Sequence, residues 1–223
     1  MRRKSDTAHA MNGVRTRILA SAKELFVQQG YKKTTIRQIV QHSGILTGSI
    51  YYFFKNKEDI FQALILSLLR QCIYLINKNF AEKSPAFKYA AMCMVEFKAV
   101  EINEWARESY FEGYTSIAIF EKMVDHVASN TIDMFKNSKN TFSDEEYFQR
   151  SLLIKGAMRS YVSQLYFHHH TDQQQFLELL IYTSLDLLAV DEEEIQAVIA
   201  DLKTEGTVIE AIAQRLIDQS ITK

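Results

Sequence analysis

The stretch 34–58, TTIRQIVQHSGILTGSIYYFFKNKE, holds the side chains whose types and spacing most clearly suggest chemistry. Thr47 and Ser49 are short hydroxyls suited to phosphate oxygens or base edges, and Gly48 between them lets a partner come close to the backbone. Tyr51 and Tyr52 each carry a polar tip on an apolar ring. Lys57 sets an ammonium beside a helix start, where unpaired N–H groups already favour anions. This is binding chemistry, directed at a polyanion. Charge is segregated in the same sense: residues 1–57 hold eleven Lys/Arg against Asp6 and Glu24, a net +9, and the other 166 residues carry −10. The basic end is thus suited to a polyanion and the acidic body is not; a merely solvated basic face would give the same count.

These residues need short helices to position them. Val14, Ile18, Leu19, Ala22, Leu25 and Phe26 recur at three- and four-residue spacing, which predicts a first helix to Gln29, stopped by Gly30. Thr34 or Thr35 caps a helix of barely two turns carrying Ile36, Ile39 and Val40. Ser43-Gly44 breaks it, Ile45 plugs the turn, and Thr47 to Phe53 or Phe54 forms another short helix. Two short helices on a tight turn, packed on a third, make a helix-turn-helix whose second helix fits the major groove of DNA. Ile39, Ile45, Ile50 and Phe54 are then the core of this small head. Tyr52 is open to either a core or a phosphate-facing reading. Arg2-Arg3-Lys4 reads as a solvated tail or as an arm for the minor groove.

A long helix follows over about 57–80, with Pro85 opening the next. Helices are expected at about 86–103, 105–112, 116–137, 144–167, 172–190, 192–203 and 207–219, with Gly113 and Gly206 as breaks and Ser143 and Thr171-Asp172 as capped starts. Seven Gly and one Pro in 223 residues are too few for the turns of a sheet or barrel. The fold class is all-α: an N-terminal three-helix helix-turn-helix domain over 1–57, joined to a larger helical domain over 58–223. Two cysteines, Cys72 and Cys93, are too few for a disulfide framework and read as small buried thiols, with a redox pair as the alternative. The basic N-terminus lacks the apolar stretch of a signal peptide, and no uninterrupted apolar run reaches membrane-spanning length, so a cytoplasmic protein is expected. No nucleotide-binding Gly loop, nucleophile elbow or metal-spaced His/Glu pattern is present, and no enzyme activity or cofactor is expected.

The pattern resembles the TetR family of bacterial transcriptional regulators. Thr34-Thr35, Ile39, Ser43-Gly44-Ile45-Leu46, Gly48, Tyr51, Phe54 and Lys57-Glu58 occupy the family's motif positions, and Leu25-Phe26 and Gly30-Tyr31 also fit. By motif the resemblance covers about residues 14–60. It implies that Thr35, Tyr51, Tyr52 and Lys57 clamp the DNA backbone, with Gly48 allowing close approach and Arg37, Thr47 and Ser49 as readers. Leu46 departs from the family's capping Ser, leaving Thr47 to cap the recognition helix or to read a base.

The resemblance further implies a ligand-responsive repressor that works as a homodimer on a palindromic double-stranded operator and is released by a small apolar or aromatic effector. Met92, Phe97, Trp105, Tyr110, Phe111 and Phe120 are candidate walls of the effector pocket, although each also suits an ordinary core. Leu153, Gly156, Ala157, Leu177, Ile181 and Leu185, on two late helices, are candidate seam residues of a four-helix dimer bundle. Two alternatives stand beside this reading. One is a haem- or metal-responsive regulator of the same fold using His126, Cys93 or His168-His169-His170, although consecutive histidines diverge in direction. The other is a helical adaptor whose basic head docks an acidic protein or membrane surface.

Overall fold

The computed structural model describes residues 2–167 and 172–218, without the side chains of residues 2–10 and of Thr47. The described residues form eleven helices: α1 (Arg2–Gln29), α2 (Ile36–Ser43), α3 (Thr47–Phe53), α4 (Lys57–Asn79), α5 (Pro85–Ile102), α6 (Glu104–Thr115), α7 (Ile117–Phe135), α8 (Asp144–Gln164), α9 (Gln173–Leu187), α10 (Glu192–Thr204) and α11 (Gly206–Asp218). The all-α expectation holds. Helices α8 and α9 end three residues before the expected 167 and 190, and two other boundaries differ. Helix α1 begins well before Val14, because the opening residues lack an apolar stripe that would reveal them yet contain good helix formers. Helix α6 also runs through Gly113 and stops only where Ser116 caps α7 by accepting a hydrogen bond from the Ile119 N–H.

The chain divides into two compact units. One extends through Leu68 and includes Asp218 from the far end of the chain; the other is Leu69–Ile217. The boundary expected at 57/58 falls at the start of α4, but Ile60, Phe61, Leu64 and Ile65 are buried with the head, whose unit therefore continues for three more turns. Helix α4 is long and apolar enough to cross a membrane. Its buried residues recur at core-helix spacing within each unit, and its ends carry Lys57, Glu58, Asp59 and Lys78, which is the pattern of a core helix.

In the first unit, Ile18, Leu19, Ala22 and Phe26 of α1 form the core with Ile39 and Val40 of α2, Ile50 of α3, and Phe54. Phe26, Tyr31 and Phe61 close it as a ring cluster with centroids 4.5–5.6 Å apart. Thr34 is buried and donates to the Gly30 carbonyl at 2.9 Å, tying the α1–α2 connection to the end of α1. Thr35 caps α2 in a full capping box with Gln38, and Glu24 meets His42 at 2.6 Å across α1 and α2.

Gly44 ends α2 at φ 64°, the left-handed region that L side chains enter only with strain. A Cβ there would meet nothing within 4 Å, so any cost of Gly44→Ala is conformational. We expect Gly44→Ala to destabilise the head by about 1–2 kcal/mol, read as a lower denaturant midpoint at unchanged slope. A loss below ~0.3 kcal/mol would show that the turn does not depend on its handedness.

Candidate nucleic-acid interface

Helix α3 is only two turns long and its two sides differ sharply. Ile50 and, just past the helix, Phe54 are buried and fasten it to the head. Gly48, Tyr51 and Tyr52 recur at i, i+3 and i+4 as one exposed stripe of the helix, and Lys55, beyond the extended Phe54, is exposed as well. Tyr51 is 56% and Tyr52 72% exposed, which removes the core reading of Tyr52. Its ring packs edge-on against Phe53 at 5.2 Å, so the phenol has a defined place from which to project. A Cβ built on Gly48 meets nothing within 4 Å and the residue has no positive φ. The head therefore does not itself require glycine at 48, whereas a partner approaching the backbone would.

Leu46 takes the N-cap position of α3 without a side-chain cap and is itself exposed. The expected reader role of Thr47 concerns a side chain outside the described residues. Ser49 is half-buried and its backbone N–H donates to Leu46 at 2.8 Å. Arg37 is exposed on α2.

Two expected backbone clamps also serve the fold. The Thr35 hydroxyl donates to Gln38 Oε1 at 2.9 Å and accepts from the Gln38 N–H, so its one proton is used within the capping box. Lys57 Nζ donates to the Tyr31 carbonyl at 2.8 Å and stands 4.2 Å from the centre of the Tyr31 ring. It thereby joins the start of α4 to the connection after α1. These contacts hold the interface in shape.

The basic excess of the head is likewise divided. Lys23 is buried, where desolvation lowers its pKa and Asp218 partly opposes that shift. Arg15 lies over the Phe54 ring at 5.4 Å. Arg17, Lys32, Lys33, Arg37 and Lys55 are exposed. Lys33 and Lys55 were not singled out from sequence, although both belong to the basic excess of the head.

In the second unit the six expected pocket residues are spread over several ring contacts and the core. Phe97 is buried against Tyr161 at 4.4 Å, Tyr161 stacks on Phe176, and Phe111 pairs with Tyr166 at 4.9 Å. Tyr110 and Phe120 flank Tyr114 at 6.1 and 5.7 Å, while Met92 and Trp105 are buried. A cavity of about 260 Å³ opens instead among α5, α9 and α10, lined by residues such as Met94, Leu177, Ile181 and Leu202. None of the six touches it.

At the centre of this unit, Lys155 Nζ reaches both oxygens of Glu96 at 2.7 and 3.0 Å, with both side chains 1–2% exposed. Burial opposes the ammonium, but the carboxylate overcomes it and holds the Lys155 pKa above its ordinary value. Cys72 and Cys93 are buried near this pair. Burial raises both thiols, Cys93 to about 12, so neither is poised to react.

Three expected seam residues are corrected. Leu177, Ile181 and Leu185 are buried within their own unit, because α9 packs on α5, α8 and α10. An apolar stripe cannot say from sequence whether its partner lies in the same chain, and here the C-terminal helices take it. Leu153 is 60% exposed, with Gly156 and Ala157 half-exposed beside it on α8; Leu152 and Leu179 extend this outward apolar face. His168-His169-His170 lie outside the described residues. Among the described residues, no three His, Cys, Asp or Glu side chains gather as a set able to hold a metal ion.

Residues 18–64 match the family model described as bacterial regulatory proteins, tetR family. The chain is 24% identical over 138 residues to the HTH-type transcriptional repressor KstR2 of Rhodococcus jostii (strain RHA1), covering 61% of this chain and 63% of that protein. It is 32% identical over 75 residues to the fatty acid metabolism regulator protein of Bacillus subtilis (strain 168), covering 34% and 39%. Both matches span less than two thirds of the relative. Among solved structures, RolR in complex with resorcinol shares the fold at TM-score 0.62 and 16% identity, over 86% of this chain and 95% of that one.

Proposed function

Starting from a chain that belongs to the TetR family of bacterial regulatory proteins, we propose that it is a homodimeric transcriptional repressor that leaves its operator when a small effector enters the second unit. The exposed stripe Gly48, Tyr51 and Tyr52 on a helix anchored by Ile50 and Phe54, with exposed Lys55 just beyond it, carries this reading. A rigid two-turn helix with its polar tips outward fits the major groove, with Gly48 at the closest approach. Arg37, Ser49 and Thr47 are the proposed base readers; Tyr51, Tyr52, Lys33 and Lys55 meet phosphates. Thr35 and Lys57 keep α2 and α4 in place behind them.

A dimer supplies two such helices, about 34–36 Å apart, for the two halves of a palindrome. The outward face of Leu152, Leu153, Gly156 and Leu179 is the proposed seam: its small and apolar residues would allow close helix packing. Helix α4 contributes residues to both units and is the natural element through which effector binding would alter the half-site spacing.

Titrating the binding of promoter fragments from the source chromosome against salt tests this. With two or three phosphates neutralised per subunit, log K should fall against log salt with a slope on the order of −4, and one fragment should be strongly preferred. Equal binding to every promoter fragment would leave only a basic surface and sink the proposal. Preference for acidic vesicles over DNA would favour the adaptor.

A further inference from the structure

We propose that the effector is an acid: a carboxylate on an apolar ring or chain, received where α6, α7 and α8 meet by the Tyr114 hydroxyl, Asn130 Nδ2 and His126 Nε2. The inference rests on the second unit being the effector domain. Each of the three atoms is buried and none has a hydrogen-bond partner among the described residues. His126 and Asn130 lie one turn apart on α7, so their groups emerge on the same face. Tyr114 on α6 is itself buried, and its hydroxyl stands beside Lys155 without closing a hydrogen bond of good geometry. Burying three such groups is costly unless something satisfies them, each by about 1–3 kcal/mol. All three can donate, and the group that accepts several donors at once is an oxyanion.

The surrounding charge selects the same class. Arg70 from α4 and Lys155 from α8 are the charged groups acting on His126. The Glu96 carboxylate is already held at both oxygens by Lys155, and on α7 itself Lys122 pairs with Asp125 at 3.1 Å. The rings of Tyr110, Tyr114 and Phe120 supply an apolar wall for the rest of the ligand. His126 and Asn130 are half-exposed as residues while these atoms are buried, so the site can be reached from the α7 surface.

Burial, reinforced by Arg70 and Lys155, lowers the pKa of His126 and leaves the free imidazole neutral near pH 7. A bound carboxylate reverses that balance and draws a proton onto the ring. Binding therefore takes up a proton, and affinity weakens as pH rises through neutrality.

Calorimetry on the full chain without DNA tests this independently of whether the head binds a promoter. The probes are benzoate, cyclohexanecarboxylate and decanoate, each against its alcohol, in two buffers of different ionisation heat. At least one acid should bind tenfold or more tighter than its alcohol, with proton uptake. His126→Gln should abolish the uptake and weaken the acid at least tenfold. If His126→Gln does not fold, Asn130→Leu carries the test, with the same loss expected for the acid and little for the alcohol. Alcohols binding as well as acids, no acid binding at millimolar concentration, or an acid bound without proton uptake would each overturn the inference. Acid binding by a protein indifferent to promoter sequence would instead retain the site and refute the repressor.

Discussion

Replacing Lys155 by Met should be the most damaging single change in the second unit, costing about 3–5 kcal/mol. The Glu96 carboxylate receives the Lys155 ammonium at both oxygens, and neither side chain is more than 2% exposed. Removing the cation leaves a charge that water cannot reach, and the protein must either protonate Glu96 or open the α5–α8 packing. For a unit of this size the loss corresponds to a drop of roughly 10 °C or more in melting temperature. Adding Glu96→Leu to Lys155→Met should restore most of the stability, because replacing both partners of a buried pair with apolar groups is often close to neutral. Thermal and denaturant unfolding of the two single variants and the double variant closes the cycle. A loss under ~1 kcal/mol in Lys155→Met, or no recovery in the double, would mean that the pair is hydrated rather than sealed.

Tyr52→Ala should show the opposite signature, with a large loss of DNA affinity and almost none of stability. The ring is 72% exposed and packs edge-on against its neighbour Phe53, so truncation should leave folding within about 0.5 kcal/mol. A hydrogen bond to a charged phosphate contributes about 1.5–3 kcal/mol, so roughly tenfold per subunit and on the order of 100-fold in a symmetric dimer are expected. The loss should be similar for preferred and random DNA, since a phosphate contact carries no sequence information. Binding isotherms on both DNAs, with melting temperature as the control, decide it. Unchanged affinity would take Tyr52 out of the interface, and an altered sequence preference would make it a base reader.

The head was largely legible because its signals are local. Turn residues, caps and three- and four-residue apolar spacing act over a few positions, and Thr35, Gly44, Ile50 and Phe54 behave as those rules require. The exposed, polar-tipped face of the recognition helix follows from the same periodicity once Ile50 and Phe54 are placed inside. What the spacing could not reveal is which polar groups are already engaged. Thr35 and Lys57 have the right chemistry for phosphate, and each also holds the fold, Thr35 through Gln38 and Lys57 through the Tyr31 carbonyl 26 positions away in sequence.

In the body the balance reverses. Helix number, order and most starts were fixed by Ser143, Asp172, Pro85 and the scarcity of glycine, all local features of sequence. Destinations were not. Leu177, Ile181 and Leu185 form an apolar stripe that α5, α8 and α10 cover within the same chain, and Leu153 faces outward instead. Glu96 and Lys155 stand 59 residues apart, and nothing near either one marks it as half of a buried pair. The proposed meeting of Tyr114, His126 and Asn130 around one ligand is equally invisible along the chain. The sequence by itself determined an all-α protein with a basic helix-turn-helix head, because capping, turn chemistry and helical periodicity are short-range properties. Tertiary structure alone decided which side chains meet inside the body and which remain outside, because burial and electrostatic pairing depend on where distant helices pack.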